Sequence, residues 1–193
     1  MIIHICFPVT IKEDNFVEEG EIPHQGVRSD LVGVRTFVMT NKTQPMKNLL
    51  LDTNVNYQAL RVAEKFLTYC EDQRTFKPKV IWLYGETGTG KTRKAFELYP
   101  NAYYKTGDIK WWDGYDAHDE CVIDEFRKDF CKFHELLRLL DRYPYRVAYK
   151  GGFRQFLAKT IVITSCYHPT ELYDTREDIQ QLIRRIDEII KIE

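Results

Sequence analysis

The chain has 193 residues, 44% hydrophobic and 30% charged, a balance that excludes a disordered or membrane-embedded polypeptide. Lys and Arg number 28 against 29 Asp and Glu, a net charge of −1, so any nucleic-acid surface must be a local patch rather than a whole-molecule field. The five cysteines, Cys6, Cys70, Cys121, Cys131 and Cys166, form no CxxC or Cys/His knuckle, so no zinc site is expected and a reducing, intracellular compartment is the natural reading.

Residues 1–25 read as a remnant or linker segment. Their apolar start lacks the basic lead and cleavage site of a signal peptide. Glu13, Asp14, Glu18, Glu19 and Glu21 follow as a solvated acidic stretch. No apolar run approaches the ~20 residues that span a bilayer, so no membrane partner is expected. Residues 26–75 read as a helical segment. Ser29-Asp30 predicts a cap for a helix over Leu31–Met39, and Asn54 or Asn56 caps a longer one. In that second helix Leu60, Ala63, Phe66, Leu67 and Cys70 recur at helical spacing and form a core or subunit-contact stripe.

Residues 76–193 alternate strands and helices. The strands are Val80–Tyr84, Ala102–Tyr104, Cys121–Ile123, Ile161–Thr164 and a stretch within Glu188–Ile192. Lys91–Tyr99 and Phe133–Asp141 are the intervening helices, and Pro100 stops the first. This alternation predicts a mostly parallel sheet.

The strongest motif is Gly85-Glu86-Thr87-Gly88-Thr89-Gly90-Lys91-Thr92, a complete G-x-x-x-x-G-K-[ST] set between a strand and a helix. Its glycines let backbone N–H groups close around phosphate, and the following helix N-terminus favours the same anion. Lys91 suits the β- and γ-phosphates of ATP, and the Thr92 hydroxyl suits Mg2+. About thirty residues on, Cys121-Val122-Ile123 ends in Asp124-Glu125. Strand ends of a parallel sheet share one crevice, which assigns metal holding to Asp124 and orientation of the attacking water to Glu125. Together the motifs predict a nucleoside triphosphatase.

Around them stand Arg28-Ser29-Asp30-Leu31, Lys110-Trp111-Trp112-Asp113-Gly114-Tyr115, Asp141-Arg142-Tyr143-Pro144, Lys150-Gly151-Gly152 and Ile161-Val162-Ile163-Thr164-Ser165. In this order and spacing, from about residue 12 to the end, the chain resembles the superfamily 3 helicase domain of circovirus-type replication initiators. That resemblance implies an α/β P-loop NTPase, with an AAA+-like five-stranded sheet, flanking helices and a small helical oligomerisation segment before it. It implies a homo-oligomeric, hexameric ring that spends ATP to unwind DNA during rolling-circle replication in the host nucleus. A full-length initiator is a further expected partner. The resemblance makes Lys91 and Thr92 the Walker A pair and Asp124 and Glu125 the Walker B pair. Tyr145–Phe156 becomes a DNA-gripping hairpin, and Arg184 or Arg185 the residue that reaches a neighbour's ATP.

The hairpin reading agrees with the residues. Arg146, Lys150, Arg154 and Lys159 form a basic patch, with Gly151 at the turn and Tyr145, Tyr149 and Phe153 interleaved for stacking. No residue type separates DNA from RNA. Of Trp111 and Trp112, one is expected in the core and the other against a neighbouring loop, with Asp113 a weak acidic candidate for the site. Two departures from the family stand out. Cys166 follows the I-T-S strand where the family commonly carries Asn, and a thiol is a poor hydrogen-bonding sensor, leaving Ser165 or His168 as substitutes. The His-hydrophobic-His and Y-x-x-K motifs of a nicking endonuclease are absent, so nicking is not expected. The leading expectation is an ATP-dependent helicase on single-stranded nucleic acid, DNA before RNA. The alternative is an ATP-binding, weakly hydrolysing module that joins or inhibits an initiator ring.

Overall fold

The structure is a computed structural model that describes residues 29–193 apart from residues 53 and 175; of residues 29 and 30 it describes the backbone alone. The remnant or linker assigned to residues 1–25 and the capping roles of Ser29 and Asp30 lie outside the described residues. Five strands, β1 (Lys79–Tyr84), β2 (Tyr103–Lys105), β3 (Glu120–Ile123), β6 (Thr160–Ser165) and β7 (Glu188–Lys191), form one sheet in the order β2-β3-β6-β1-β7. Every pairing in it is parallel, with Ile81 opposite Val162, Ile123 opposite Ile163 and Ile81 opposite Glu188. Near-continuous apolar runs explain this, because β1 and β6 bury both faces and have no polar side to offer water.

One face of the sheet packs Trp82, Ile123, Ile161 and Ile163 against Phe126, Phe130 and helix α5 (Phe133–Leu139). The other packs Ile81, Leu83, Val122 and Val162 against Ala95 of helix α4 (Lys91–Leu98). The Arg74 guanidinium seals the end of α5. It is 1% exposed and donates to the carbonyls of Leu139, Arg138 and Tyr143. Burial pushes its pKa down to about 10.

Before the sheet come helices α1 (Ser29–Thr40), α2 (Pro45–Leu50) and α3 (Tyr57–Cys70). They share a small core of Val34, Val38, Leu49, Ala59, Ala63 and Leu67. Of the two expected caps for α3, Asn56 serves: its side chain accepts the Ala59 N–H at 2.9 Å. The expected stripe is buried at Ala63 and Leu67 and half-buried at Leu60 and Phe66. Cys70 is exposed, because the helix ends there and Glu71 turns extended.

Strands β4 (Arg146–Tyr149) and β5 (Gly152–Gln155) form a separate antiparallel hairpin. Its turn is Lys150-Gly151, and Gly151 takes φ +118°, a conformation open to glycine. The helical segment docks where this hairpin meets the loop before β3. Arg154 of β5 joins Glu71, at the end of α3, to Asp116. The other Asp116 carboxylate oxygen accepts the Lys47 N–H from α2 at 2.9 Å.

Candidate functional site

The phosphate-loop residues Gly85, Glu86, Thr87, Gly88, Thr89 and Gly90 connect β1 to α4, as the strand–loop–helix motif predicts. Gly85 is obligatory by contact, since a Cβ there would collide with the Ile192 carbonyl that follows β7. Gly90 stands before α4 at φ +84°. Lys91 Nζ lies over the loop and donates to the carbonyls of Gly85 at 2.9 Å and Glu86 at 2.6 Å. Its ammonium is thereby tied to the backbone of the loop.

One residue on, the Thr92 hydroxyl donates to Asp124 Oδ1 at 2.7 Å. Residues from α4 and from the end of β3 therefore meet, although β6 lies between β3 and β1, the strand that leads into the loop. An alcohol and a carboxylate at this distance are hard oxygen donors, the set a small divalent cation takes when most of its shell comes from phosphate and water. The donor chemistry thus fits a metal.

A second hydroxyl completes the arrangement. Thr164 of β6 is 1% exposed; it donates to Asp124 Oδ1 at 2.7 Å and accepts the Glu125 N–H at 2.9 Å. The Phe126 N–H donates to the Thr164 carbonyl at 2.7 Å. These bonds hold Glu125 at φ +51°, an uncommon conformation for a non-glycine residue. The turn leaves the Glu125 side chain exposed. Tyr104 of β2 also bonds Asp124, and burial first, then that carboxylate, pushes its phenol well above the ordinary tyrosine value. Sequence reasoning placed Thr164 only as part of a strand and assigned Tyr104 no role. The available signal was a hydroxyl inside an otherwise apolar buried run, a group that must find a partner.

Of the three residues considered for the sensor position, Cys166 alone faces the loop, with Sγ 3.6 Å from Thr87 Oγ1. Ser165 is buried and donates to the Phe126 carbonyl at 2.8 Å. His168 caps the short helix that follows and packs its ring on Tyr84. At the opposite end of the sheet, Arg185 is tied to Asp141 at 2.6 Å and to the Gln181 carbonyl. Arg184 is exposed.

The hairpin divides the expected nucleic-acid residues. Lys150 and Gly151 form the exposed tip. Arg146 is exposed on β4 and lies 5.5 Å over the ring of Phe153. Arg154 requires a correction. It is 5% exposed, with Nε and Nη2 on the Glu71 carboxylate and Nη1 on Asp116, so it has no surface to offer a phosphate. Trp112 is in the core and stacks on Tyr103, as expected of one of the pair. Trp111 is 42% exposed. Asp113 does not reach the nucleotide loop; Oδ1 accepts the Lys150 N–H at 2.8 Å.

A parallel sheet of this order, with a Gly-rich loop after β1 and an Asp-Glu pair following β3, defines an α/β domain of the P-loop NTPase type. The sequence pattern of the RNA helicase family matches residues 81–167, which run from β1 past the end of β6. The chain is 36% identical over 183 residues to the replication-associated protein of goose circovirus, covering 93% of this chain and 61% of that one. It is 37% identical over 165 residues to that of canary circovirus, covering 84% and 55%. For the replication-associated protein of human associated cyclovirus 1 the figures are 31% over 195 residues, 94% and 68%. The chain belongs to the family of circovirus and cyclovirus replication-associated proteins. It spans less than two thirds of the length of the goose and canary proteins. Among the described residues no helix is long and apolar enough to cross a membrane.

Proposed function

We propose that this chain binds ATP with Mg2+, hydrolyses it, and uses the energy to move on single-stranded nucleic acid, DNA in preference to RNA, within a homo-oligomeric ring. The observation that carries the reading is the meeting of Thr92 and Asp124 at 2.7 Å beside a loop over which Lys91 is already held. In this reading the backbone of Gly85–Thr92 wraps the phosphates, and Lys91 offsets charge that builds on them during transfer. Thr92 and Asp124 hold the cation, which would polarise the phosphates when bound. Glu125, exposed and aimed by Thr164, orients the attacking water. Arg184 supplies the charge that reaches a neighbouring subunit, since Arg185 is occupied by Asp141. Lys150, at the tip of a two-residue turn, takes a phosphate of the strand. Val32, Met39, Leu50 and Leu51 expose apolar surface on the helical segment and support its use in ring assembly.

ATP hydrolysis with and without a single-stranded oligonucleotide tests the proposal, with Lys91→Ala as the blank. Turnover stimulated by the strand and abolished in Lys91→Ala is the expected result. Unchanged turnover in Lys91→Ala overturns the loop assignment. One observation favours the second reading, an ATP-binding module that turns over weakly in an initiator ring: Cys166 faces Thr87 where a stronger hydrogen-bonding side chain would act on the γ-phosphate. Tight ATP binding without hydrolysis would select it.

A further inference from the structure

The Asp124 carboxylate is held from more than one strand. Thr92 of α4 and Thr164 of β6 both donate to Oδ1, each at 2.7 Å. The terminal torsion of an aspartate is soft, so contacts from one side alone would let the carboxylate turn away from the crevice. β3 has a second neighbour, the edge strand β2, on the side opposite β6. In that pairing Tyr104 lies opposite Val122 and Lys105 opposite Ile123, and the Asp124 N–H donates to the Lys105 carbonyl at 2.9 Å. β2 therefore runs up to the backbone of Asp124 itself.

Tyr104 packs on the same face of the sheet as Val122, the face covered by Ala95 of α4. Its phenol bonds the Asp124 carboxylate and also reaches the Thr92 hydroxyl. The ring is fixed by Phe96, stacked on it with 4.5 Å between centroids and 23° between planes. Phe96 follows Thr92 by four residues, so both stand on one face of α4. One helix thus supplies the Thr92 hydroxyl and, a turn later, the clamp on Tyr104.

Resting on the reading that Thr92 and Asp124 hold a divalent cation, we propose that Tyr104 is a positioning residue of that site: its phenol, clamped by Phe96, donates to Asp124 from the β2 side and fixes the carboxylate against Thr164 on the β6 side. A neutral phenol adds a donor without adding charge, so the carboxylate keeps its own charge for the cation. Partners of this kind, one step out from the ligands, set metal affinity by about 10- to 100-fold.

The test uses the full chain, ADP, and Mn2+ as the probe, with bound Mn2+ read from the loss of its aqueous electron paramagnetic resonance signal. Tyr104→Phe keeps the ring and its stack and deletes one oxygen. It should weaken Mn2+ binding about 10- to 100-fold. ADP affinity measured in EDTA should stay at the wild-type value, because the Gly85–Thr92 loop is untouched. Phe96→Ala frees the ring and should give a smaller loss of Mn2+ affinity, while Phe96→Tyr keeps the stack and should leave binding intact. No loss in Phe96→Ala overturns the clamp. Wild-type Mn2+ affinity in Tyr104→Phe overturns the positioning role. An equal fall in ADP affinity in EDTA does so too, since it would make Tyr104 part of the nucleotide pocket. Asp124→Asn tests the cation reading separately. If Asp124→Asn weakens Mn2+ binding and Tyr104→Phe does not, Tyr104 alone is removed from the site. If Mn2+ binding responds to neither ADP nor Asp124→Asn, the cation reading falls with it.

Discussion

Replacing Arg154 by Ala separates a buried clasp from a nucleic-acid contact. The guanidinium donates to Glu71 at 3.1 and 2.6 Å and to Asp116 at 2.8 Å, and the paired side chains are 6%, 6% and 12% exposed. Removing one partner of a buried ion pair costs about 3–5 kcal/mol, because the remaining charges stay desolvated. Here each carboxylate keeps one backbone donor, Gln155 N–H for Glu71 at 2.7 Å and Lys47 N–H for Asp116 at 2.9 Å. That places the loss at the lower end, about 3 kcal/mol. For a chain of this size such a loss lowers Tm by roughly 6–12 °C. A thermal melt reads this directly, and oligonucleotide binding against salt reads the other role. Arg154→Ala should melt early with an unaltered salt slope, and adding Glu71→Gln should recover part of the loss. A melt within about 2 °C of the wild type, with the slope lowered by about 0.7, would show Arg154 working on phosphate and refute the clasp.

Thr164→Val keeps the shape of the side chain and deletes both hydroxyl bonds, so ATP turnover should fall about 10- to 100-fold, the equivalent of one charge-assisted bond, with ATP affinity changed less. Equal turnover would mean that Asp124 and Glu125 are aimed by other groups. Cys166→Asn should raise turnover, and an unchanged rate in a steady-state assay would remove Cys166 from the sensor role. Burial pushes the Asp187 carboxyl up, but Lys77, the Val80 N–H and Lys79 outweigh it and hold it below the ordinary carboxylate range. A depressed folded value contributes stability above the unfolded pKa and loses it as pH falls through about 4 and lower. Asp187→Asn should therefore flatten the acid limb of a Tm-against-pH curve, and an unchanged limb would count against the Lys77 pairing.

How far the sequence could be read depended on the range of the interaction. The phosphate loop is contiguous, and residue types alone specify its turn and helix start. Asp124-Glu125 ended a strand, and that was enough to bring it to the crevice of a parallel sheet. The hairpin was legible from Lys150-Gly151 and the flanking aromatics. Arg154 was not, because β5 turns Phe153 outward and Arg154 inward. That inversion is set by Glu71 and Asp116, which arrive from a helix end and a separate loop. Nothing in the local alternation signals partners so distant. Thr164 failed for a related reason: its hydroxyl matters only once β6 lies beside β3, which is a fact of strand order rather than of the segment. The short helices α2 and α6 (Gln180–Ile183) carry too few residues to show a period.

The position of β6 also bears on how the chain is assembled during synthesis. The strands that carry the Gly-rich loop and the acidic pair, β1 and β3, are not neighbours; β6 inserts between them. Residue 79 must wait for residue 160 before it gains its parallel partner, a non-local closure of the kind that slows folding. Until then a nascent chain emerging from the ribosome holds two unpaired apolar edges, one on each side of the gap. Those edges are where a chaperone would engage, and where premature chain release would expose sticky half-sheets.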